Sequence, residues 1–417
     1  MRKQKRKRGG NRRHLQPQTQ ATQAKAEPLV EVLIERLLPG GAGLAHAGGR
    51  TILVGLAAPG DRALVQIERV QGRVAFASIK EILSPAPERV EPPCPYFGRC
   101  GGCDFQQLSY QAQLTAKAGF VRDCLRRIAR VEFPGEIPIT ASPVAWRYRS
   151  RAQWQHDPQR KLLGYFERGS HNVCDVAECP VLVPELQKAL EGLRARMQSH
   201  DLPAGMTEFQ AVAGDEGASL TPPLPGSSTL EVSRLIAGHR YRFSAEGFFQ
   251  INQELLPSLV TAAIGDARGE TAVDLYCGAG LFTLPLAGRF ERVRGVEAHP
   301  AAIAYARRNL ADAQLDNVAF ECARVGDWLS ANSAALAPVD FLLLDPPRAG
   351  AEEEAVRGIL ALRPRHISYV SCDPATLARD LKGLTGGGYT LTSIRAFDMF
   401  PQTHHVETVA HLSLAAL

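Results

Sequence analysis

The stretch Val273-Asp274-Leu275-Tyr276-Cys277-Gly278-Ala279-Gly280 decides the fold. Its first half reads as a buried strand, and the glycines that follow let backbone approach a ligand closely at that strand's carboxyl end. Outward from it the chain alternates. Strands are predicted over residues 272–276, 293–297, 318–322, 339–344, 367–371, 391–397 and 408–414, with helices over 301–313 and 374–384. Repeated strand–helix units predict an α/β, Rossmann-like, parallel and doubly wound sheet whose ligand sits at the carboxyl ends of its strands.

The glycine loop narrows the ligand. Position 283 is Thr where a dinucleotide fingerprint has its third glycine, which disfavours a pyrophosphate on the helix N-terminus. Glu297, ending the second strand, suits ribose hydroxyls. Asp-x-x-x-Gly-x-Gly with such an acid is the usual form of an S-adenosylmethionine site, here using Gly278, Gly280 and Glu297.

Upstream, residues 29–83 hold short apolar segments separated by Pro39-Gly40-Gly41 and Pro59-Gly60-Asp61 turns, which predicts a small OB-like β-barrel of the kind that often binds RNA. Residues 84–95 contain five Pro and mark a boundary. Between 96 and 245 the pattern is mixed, with a helix over 106–129 and strands over 147–155 and 162–167, an α+β signature. The expected division is therefore a tail and linker (1–28), a barrel (29–88), a central module (89–245) and the α/β domain (246–417).

At 417 residues with 45% hydrophobic and 22% charged residues, the composition is that of a globular protein. No apolar run reaches the roughly 18 residues of a membrane-spanning helix. Eight of the 48 Lys and Arg residues fall in residues 1–13, where there is no acid, so the formal charge of +5 sits on the tail and the body is slightly acidic. No apolar stretch follows, so the tail is not an export signal and reads as a disordered arm, either solubilising or phosphate-contacting. The expected setting is cytoplasmic, without membrane association. Nine Cys, an odd number scattered along such a chain, argue for metal or catalysis over disulfides.

Three further constellations carry chemistry. In Cys94-Pro-Tyr-Phe-Gly-Arg-Cys100-Gly-Gly-Cys103, three soft ligands share one loop and need a fourth, Cys179 or, close behind, Cys174. Four thiolates suit a tetrahedral zinc or an iron–sulfur cluster, and the spacing does not choose. In Ser371-Cys372-Asp373-Pro374 a strand ends and a helix begins, where positive partial charge favours a thiolate and the adjacent carboxylate opposes it. Cys372 is thus a nucleophile or a core thiol. Finally, Glu407 begins the last strand and Asp345-Pro346-Pro347-Arg348 ends the fourth, so both face the ligand edge, and Glu407 is a candidate base. His404 and His405, as neighbours, point apart and suit surface or stacking roles better than metal ligation.

Together with Phe249-Gln250-Ile251-Asn252 and Phe400-Pro-Gln-Thr-His-His-Val-Glu407, these motifs resemble the RNA uracil-5-methyltransferase family over about residues 29–417, and its 23S ribosomal RNA branch in particular, which carries a TRAM barrel and an iron–sulfur cluster. The resemblance implies a [4Fe–4S] cluster on Cys94, Cys100, Cys103 and Cys179. It implies that Gln250, Tyr276, Glu297 and Asp345 contact S-adenosylmethionine, that Cys372 is the nucleophile and Glu407 the base, and that the partner is RNA, ribosomal before transfer RNA. A monomer is the default expectation. The chain departs from many members at Leu281 and Asp373, where Asn is common. The first change removes a polar cofactor contact and the second adds charge beside the thiol. Two rivals remain: methylation of an exocyclic amine held by Asp345-Pro-Pro, which leaves Cys372 idle, and a non-catalytic RNA-binding or redox-sensing protein.

Overall fold

In the computed structural model, which describes residues 29–415 apart from 204, 225, 227, 228 and 337, one eight-stranded sheet organises the second half of the chain. The tail expected over 1–28 lies outside the described residues. The strand order is Val318–Cys322, Phe290–Glu297, Gly269–Leu275, Phe341–Leu344, His366–Ser371, Glu407–Leu414, Tyr389–Phe397, Ile139–Thr140. The first five run parallel. Successive side chains point to opposite faces, so Leu275, Leu342 and Ile367 pack under the helices Val325–Leu336, Glu353–Leu362 and Pro374–Gly386, while Leu343 and Val370 pack under Leu256–Ile264. Burial on both faces explains the unbroken apolar run of Phe341–Leu344.

The expected all-parallel order fails at its far edge. Glu407–Leu414 lies antiparallel to both His366–Ser371 and Tyr389–Phe397. A parallel pairing needs a crossover of about a dozen residues or more, usually helical, and the short segment 398–406 contains no helix. That segment instead runs across the ligand end of the sheet.

Ahead of this domain, a six-stranded sheet curls over a core of Val32, Ile52, Val54, Val65 and Ala75 and brings Val30–Leu33 back against Gly43–Ala47. A five-stranded antiparallel sheet in the order Val173–Asp175, Leu162–Phe166, Arg151–Asp157, Glu208–Gly214, Gly217–Thr221 follows. The helix Pro184–Gln198 covers it, burying Leu186, Leu190, Leu193 and Met197 at helical spacing. Among the described residues no helix is long and apolar enough to cross a membrane.

Residues 110–140 do not stay with the central module in which the sequence pattern put them. The helix Tyr110–Cys124 and its π-helical extension Leu125–Ala129 bury Val121, Cys124, Leu125 and Ala129 in the same core as Leu377 and Leu381 of the α/β domain. Ile139–Thr140 adds the edge strand. At this junction Lys117 Nζ meets Asp398 Oδ1 at 2.5 Å with both side chains fully buried, and also donates to the Phe400 carbonyl at 3.0 Å. Lys117→Met is expected to lower stability in urea denaturation by about 3–5 kcal/mol, because it strands a buried carboxylate. Replacing both partners by apolar residues should recover much of the loss, and a Lys117→Met midpoint equal to the parent's would contradict this.

Candidate active site

At the carboxyl end of Gly269–Leu275 the chain turns sharply. Tyr276 and Gly278 have φ of +61° and +53°, and Gly280, at +90°, sits where an added Cβ would come within 3.0 Å of Leu284 Cδ1. Fully buried Asp274 anchors the loop from below by accepting from Thr283 Oγ1 at 2.5 Å. Thr283, which breaks the dinucleotide pattern, therefore holds the loop's acid. Burial, reinforced by the Asp345 and Glu297 charges, lifts Asp274 to about 7.

Glu297 lies opposite, accepting from the Gly278 N–H at 3.2 Å through one oxygen and from the His299 N–H at 2.8 Å through the other. The Tyr276 hydroxyl donates to Glu352. Gln250 enters from the loop before Leu256–Ile264, its backbone set by Phe249 stacking on Phe243 at 3.9 Å, and its Nε2 donates to Asp345 Oδ2 at 3.2 Å. Gln250, Tyr276, Gly278, Gly280, Glu297 and Asp345 thus gather around one strand end. Leu281 is buried and uses its carbonyl to accept from Tyr241.

Cys372 sits between the strand His366–Ser371 and the helix Pro374–Gly386. Asp373 caps that helix, accepting from the Ala375 and Thr376 N–H groups at 2.9 and 3.0 Å. The helix terminus is consequently occupied and does not acidify the thiol. Burial, then the charges of Glu407 and Asp345, push Cys372 up to about 12, with Arg348 opposing. Glu407 is only 2% exposed, one of its oxygens has no hydrogen-bond partner, and burial with the Asp345 charge holds it well above the usual carboxylate range. Burial also lifts Asp345 to about 7. A buried carboxylate with a free oxygen beside a half-buried thiol is suited to moving a proton at a bound substrate.

Cys372, Asp373, His404 and His405 open on a cleft of about 230 Å³ whose far wall is Phe120 with Pro39 and Gly40 of the barrel. Burial first, and then His404 and Arg348, press His405 down to about 3. It therefore stays neutral and accepts from Arg348 at 3.1 Å. The rings of His404 and His405 lie 4.0 Å apart, so the two neighbours pack together and do not point apart as the sequence suggested.

Cys94, Cys100, Cys103 and Cys179 line a second cavity, with Gln106, Arg149 and Tyr165. Cys174 does not line the cavity; it is buried next to it and accepts from Arg99 Nε at 3.2 Å. Arg149 Nε and Gln106 Oε1 are buried without partners at this cavity, and burial lifts Cys100 to about 11 and Cys103 to about 12. The orphaned Arg149 donor beside convergent thiols fits an anionic guest. Among the described residues no group of His, Cys, Asp or Glu is arranged to hold a metal ion, so the geometry by itself gives neither a zinc nor a cluster seat. Arg149, Asp104, Gln113 and Lys117 were not singled out in the sequence; the last three bond His404, Gln402 and Asp398, which are 300, 289 and 281 residues away and leave no local pattern.

Comparison with known proteins agrees with this geometry. A family model described as tRNA (Uracil-5-)-methyltransferase matches residues 229–414, and a TRAM domain model matches 29–80. The 23S rRNA (uracil(1939)-C(5))-methyltransferase of Pectobacterium atrosepticum is 33% identical, the match covering 94% of this chain and 96% of that one. An RNA methyltransferase of Thermosynechococcus vestitus is 34% identical over 92% and 98%. The solved Pyrococcus abyssi tRNA (uracil-54, C5)-methyltransferase, in complex with S-adenosyl-L-homocysteine, superposes with a TM-score of 0.71 at 26% identity, covering 92% of this chain and all of that one.

Proposed function

The chain belongs to the RNA uracil-5-methyltransferase family, and on that premise we propose that it methylates C5 of a uridine in 23S ribosomal RNA, giving 5-methyluridine through a covalent adduct on Cys372. The observation that carries the reading is a thiol and a buried carboxylate with a free oxygen on the same sheet edge as the glycine loop.

S-adenosylmethionine supplies the electrophilic methyl group. Glu297 is suited to the ribose hydroxyls, Gly278 and Gly280 permit close backbone approach, and Gln250, Tyr276 and Asp345 complete the pocket. Uracil C5 is too weak a nucleophile to attack a sulfonium methyl unaided. Cys372 as thiolate adds at C6, which makes C5 enolate-like, and C5 takes the methyl group. Glu407 then removes the C5 proton, the C5–C6 double bond re-forms and the thiolate leaves. The raised Glu407 makes proton removal an ascending function of pH. The target base must be unpaired or flipped to meet Cys372, and the cleft walled by Phe120, Pro39 and Gly40 is its proposed path. Asp373 uses its side chain on the helix cap, and its charge adds only a smaller push on Cys372 after burial, Glu407 and Asp345.

The second cavity is proposed to hold a [4Fe–4S] cluster on Cys94, Cys100, Cys103 and Cys179, which would cross-link the central module; uracil methylation itself has no redox step. Cys179→Ser is expected to reduce iron content and visible absorption sharply, whereas Cys174→Ser leaves both intact. Equal loss in the two variants, or in neither, would sink the assignment of the fourth ligand. The proposed enzyme works in the cytoplasm as a monomer. The substrate test supplies unmodified 23S ribosomal RNA and transfer RNA separately with S-adenosylmethionine and weighs the nucleosides after digestion. 5-Methyluridine from the ribosomal RNA alone is expected. 5-Methyluridine from transfer RNA alone would move the proposal to that substrate, and N-methylated bases would favour the amine rival.

A further inference from the structure

The segment 398–406 leads into Glu407, and its own sheet holds it at its start, where the Asp398 N–H donates to the Thr140 carbonyl at 2.9 Å. Its internal bonds are those of one turn, with the Thr403 N–H donating to the Phe400 carbonyl at 3.2 Å and the His405 N–H to Thr403 Oγ1 at 3.3 Å. The firmer contacts come from the loop and helix after the first three cysteines. The Gln402 carbonyl accepts from the Asp104 and Phe105 N–H groups at 3.1 and 3.0 Å, and the Gln402 backbone N–H and side-chain oxygen are both paired with Gln113. Asp104, next in sequence to Cys103, grips His404 twice, through the backbone N–H at 2.8 Å and through Nδ1 at 2.5 Å.

His404 differs from the other gripped residues in what it faces. It lines the cleft beside Cys372, and the barrel closes on it from outside, since a Cβ at Gly41 would lie 2.9 Å from His404 Cβ. Three modules therefore meet on one side chain, whose rotamer is set by Asp104.

We infer that Asp104 is a positioning residue, which through His404 fixes the segment leading into Glu407 and so ties the loop of Cys94, Cys100 and Cys103 to the cleft beside Cys372. The inference rests on the proposed roles of Cys372 and Glu407. It concerns geometry and requires no change of charge on Asp104. Contacts that fix a reacting group count heavily because small misplacements are costly in rate.

The test uses the full-length protein with its cysteine loop intact, and compares Asp104→Asn, His404→Gln and the double variant. Each single variant is expected to lower kcat for RNA methylation by about tenfold or more, with KM for S-adenosylmethionine unchanged. Alkylation of Cys372 by iodoacetamide, followed by mass spectrometry of its peptide without RNA present, should become about tenfold faster as water reaches the thiol and its burial penalty relaxes. The double variant should be no worse than either single one, because both remove the same contact. Unchanged kcat and alkylation in both single variants overturn the inference, as do effects that add in the double variant. Should Asp104→Asn lose iron, His404→Gln, which leaves the residue next to Cys103 unchanged, decides alone. If the parent protein makes no 5-methyluridine, the functional reading fails, while the alkylation comparison still judges the positioning role.

Discussion

Cys372→Ala is expected to abolish methyl transfer, by at least about 10⁴-fold, the scale on which removal of a covalent nucleophile is felt. S-adenosylmethionine affinity should be unchanged, because the side chains gathered around the glycine loop do not depend on the thiol. The two readouts together separate loss of chemistry from loss of the site. The thiol stands at about 12 in the free protein, pushed there by burial and by Glu407 and Asp345. Ionisation therefore has to be favoured by the bound substrate, and Arg348 is the positive group placed to help. Turnover by the Ala variant at the parent rate would remove the covalent mechanism.

Glu407→Gln should separate the two halves of the reaction. The amide preserves shape but accepts no proton, so addition and methyl transfer proceed and elimination stalls. Turnover is expected to fall by about 10²–10⁴-fold. A covalent RNA–protein complex should accumulate, visible as a slower band on a denaturing gel and absent when Cys372→Ala is combined with it. A Gln variant that turns over slowly without any adduct would count against Glu407 as the base. In the parent, the methylation rate should climb with pH above the ordinary carboxylate range, because burial and Asp345 hold the Glu407 proton on at lower pH.

Much of this site is legible in local sequence because strand ends, caps and glycine turns leave local marks. The glycine loop, Asp345 and Cys372 each stand where an apolar run stops, and a parallel sheet gathers such stops on one edge. The three clustered cysteines announce themselves by spacing. Other features have no such mark. Lys117 and Asp398 are partners 281 residues apart, and Asp104 and His404 are 300 apart. The antiparallel return of Glu407–Leu414 follows from the shortness of 398–406, which the strand pattern contains but which the alternation of strand and helix obscures. Likewise, the apolar face of Tyr110–Cys124 does not say which sheet it will cover. The convergence of Glu407 and Asp345 on the Cys372 edge was legible, but the burial that raises the thiol most was not, since it depends on how the modules pack.

A double-label experiment follows both atoms at C5, using RNA transcribed with tritium at C5 of uridine and S-adenosylmethionine carrying a carbon-14 methyl group. Methylation at C5 through the Cys372 adduct requires one C5 hydrogen to leave for each methyl group that arrives. Equimolar release of tritium to water and incorporation of carbon-14 is expected, with neither seen for Cys372→Ala. Methyl incorporation with the tritium retained in the RNA would contradict it.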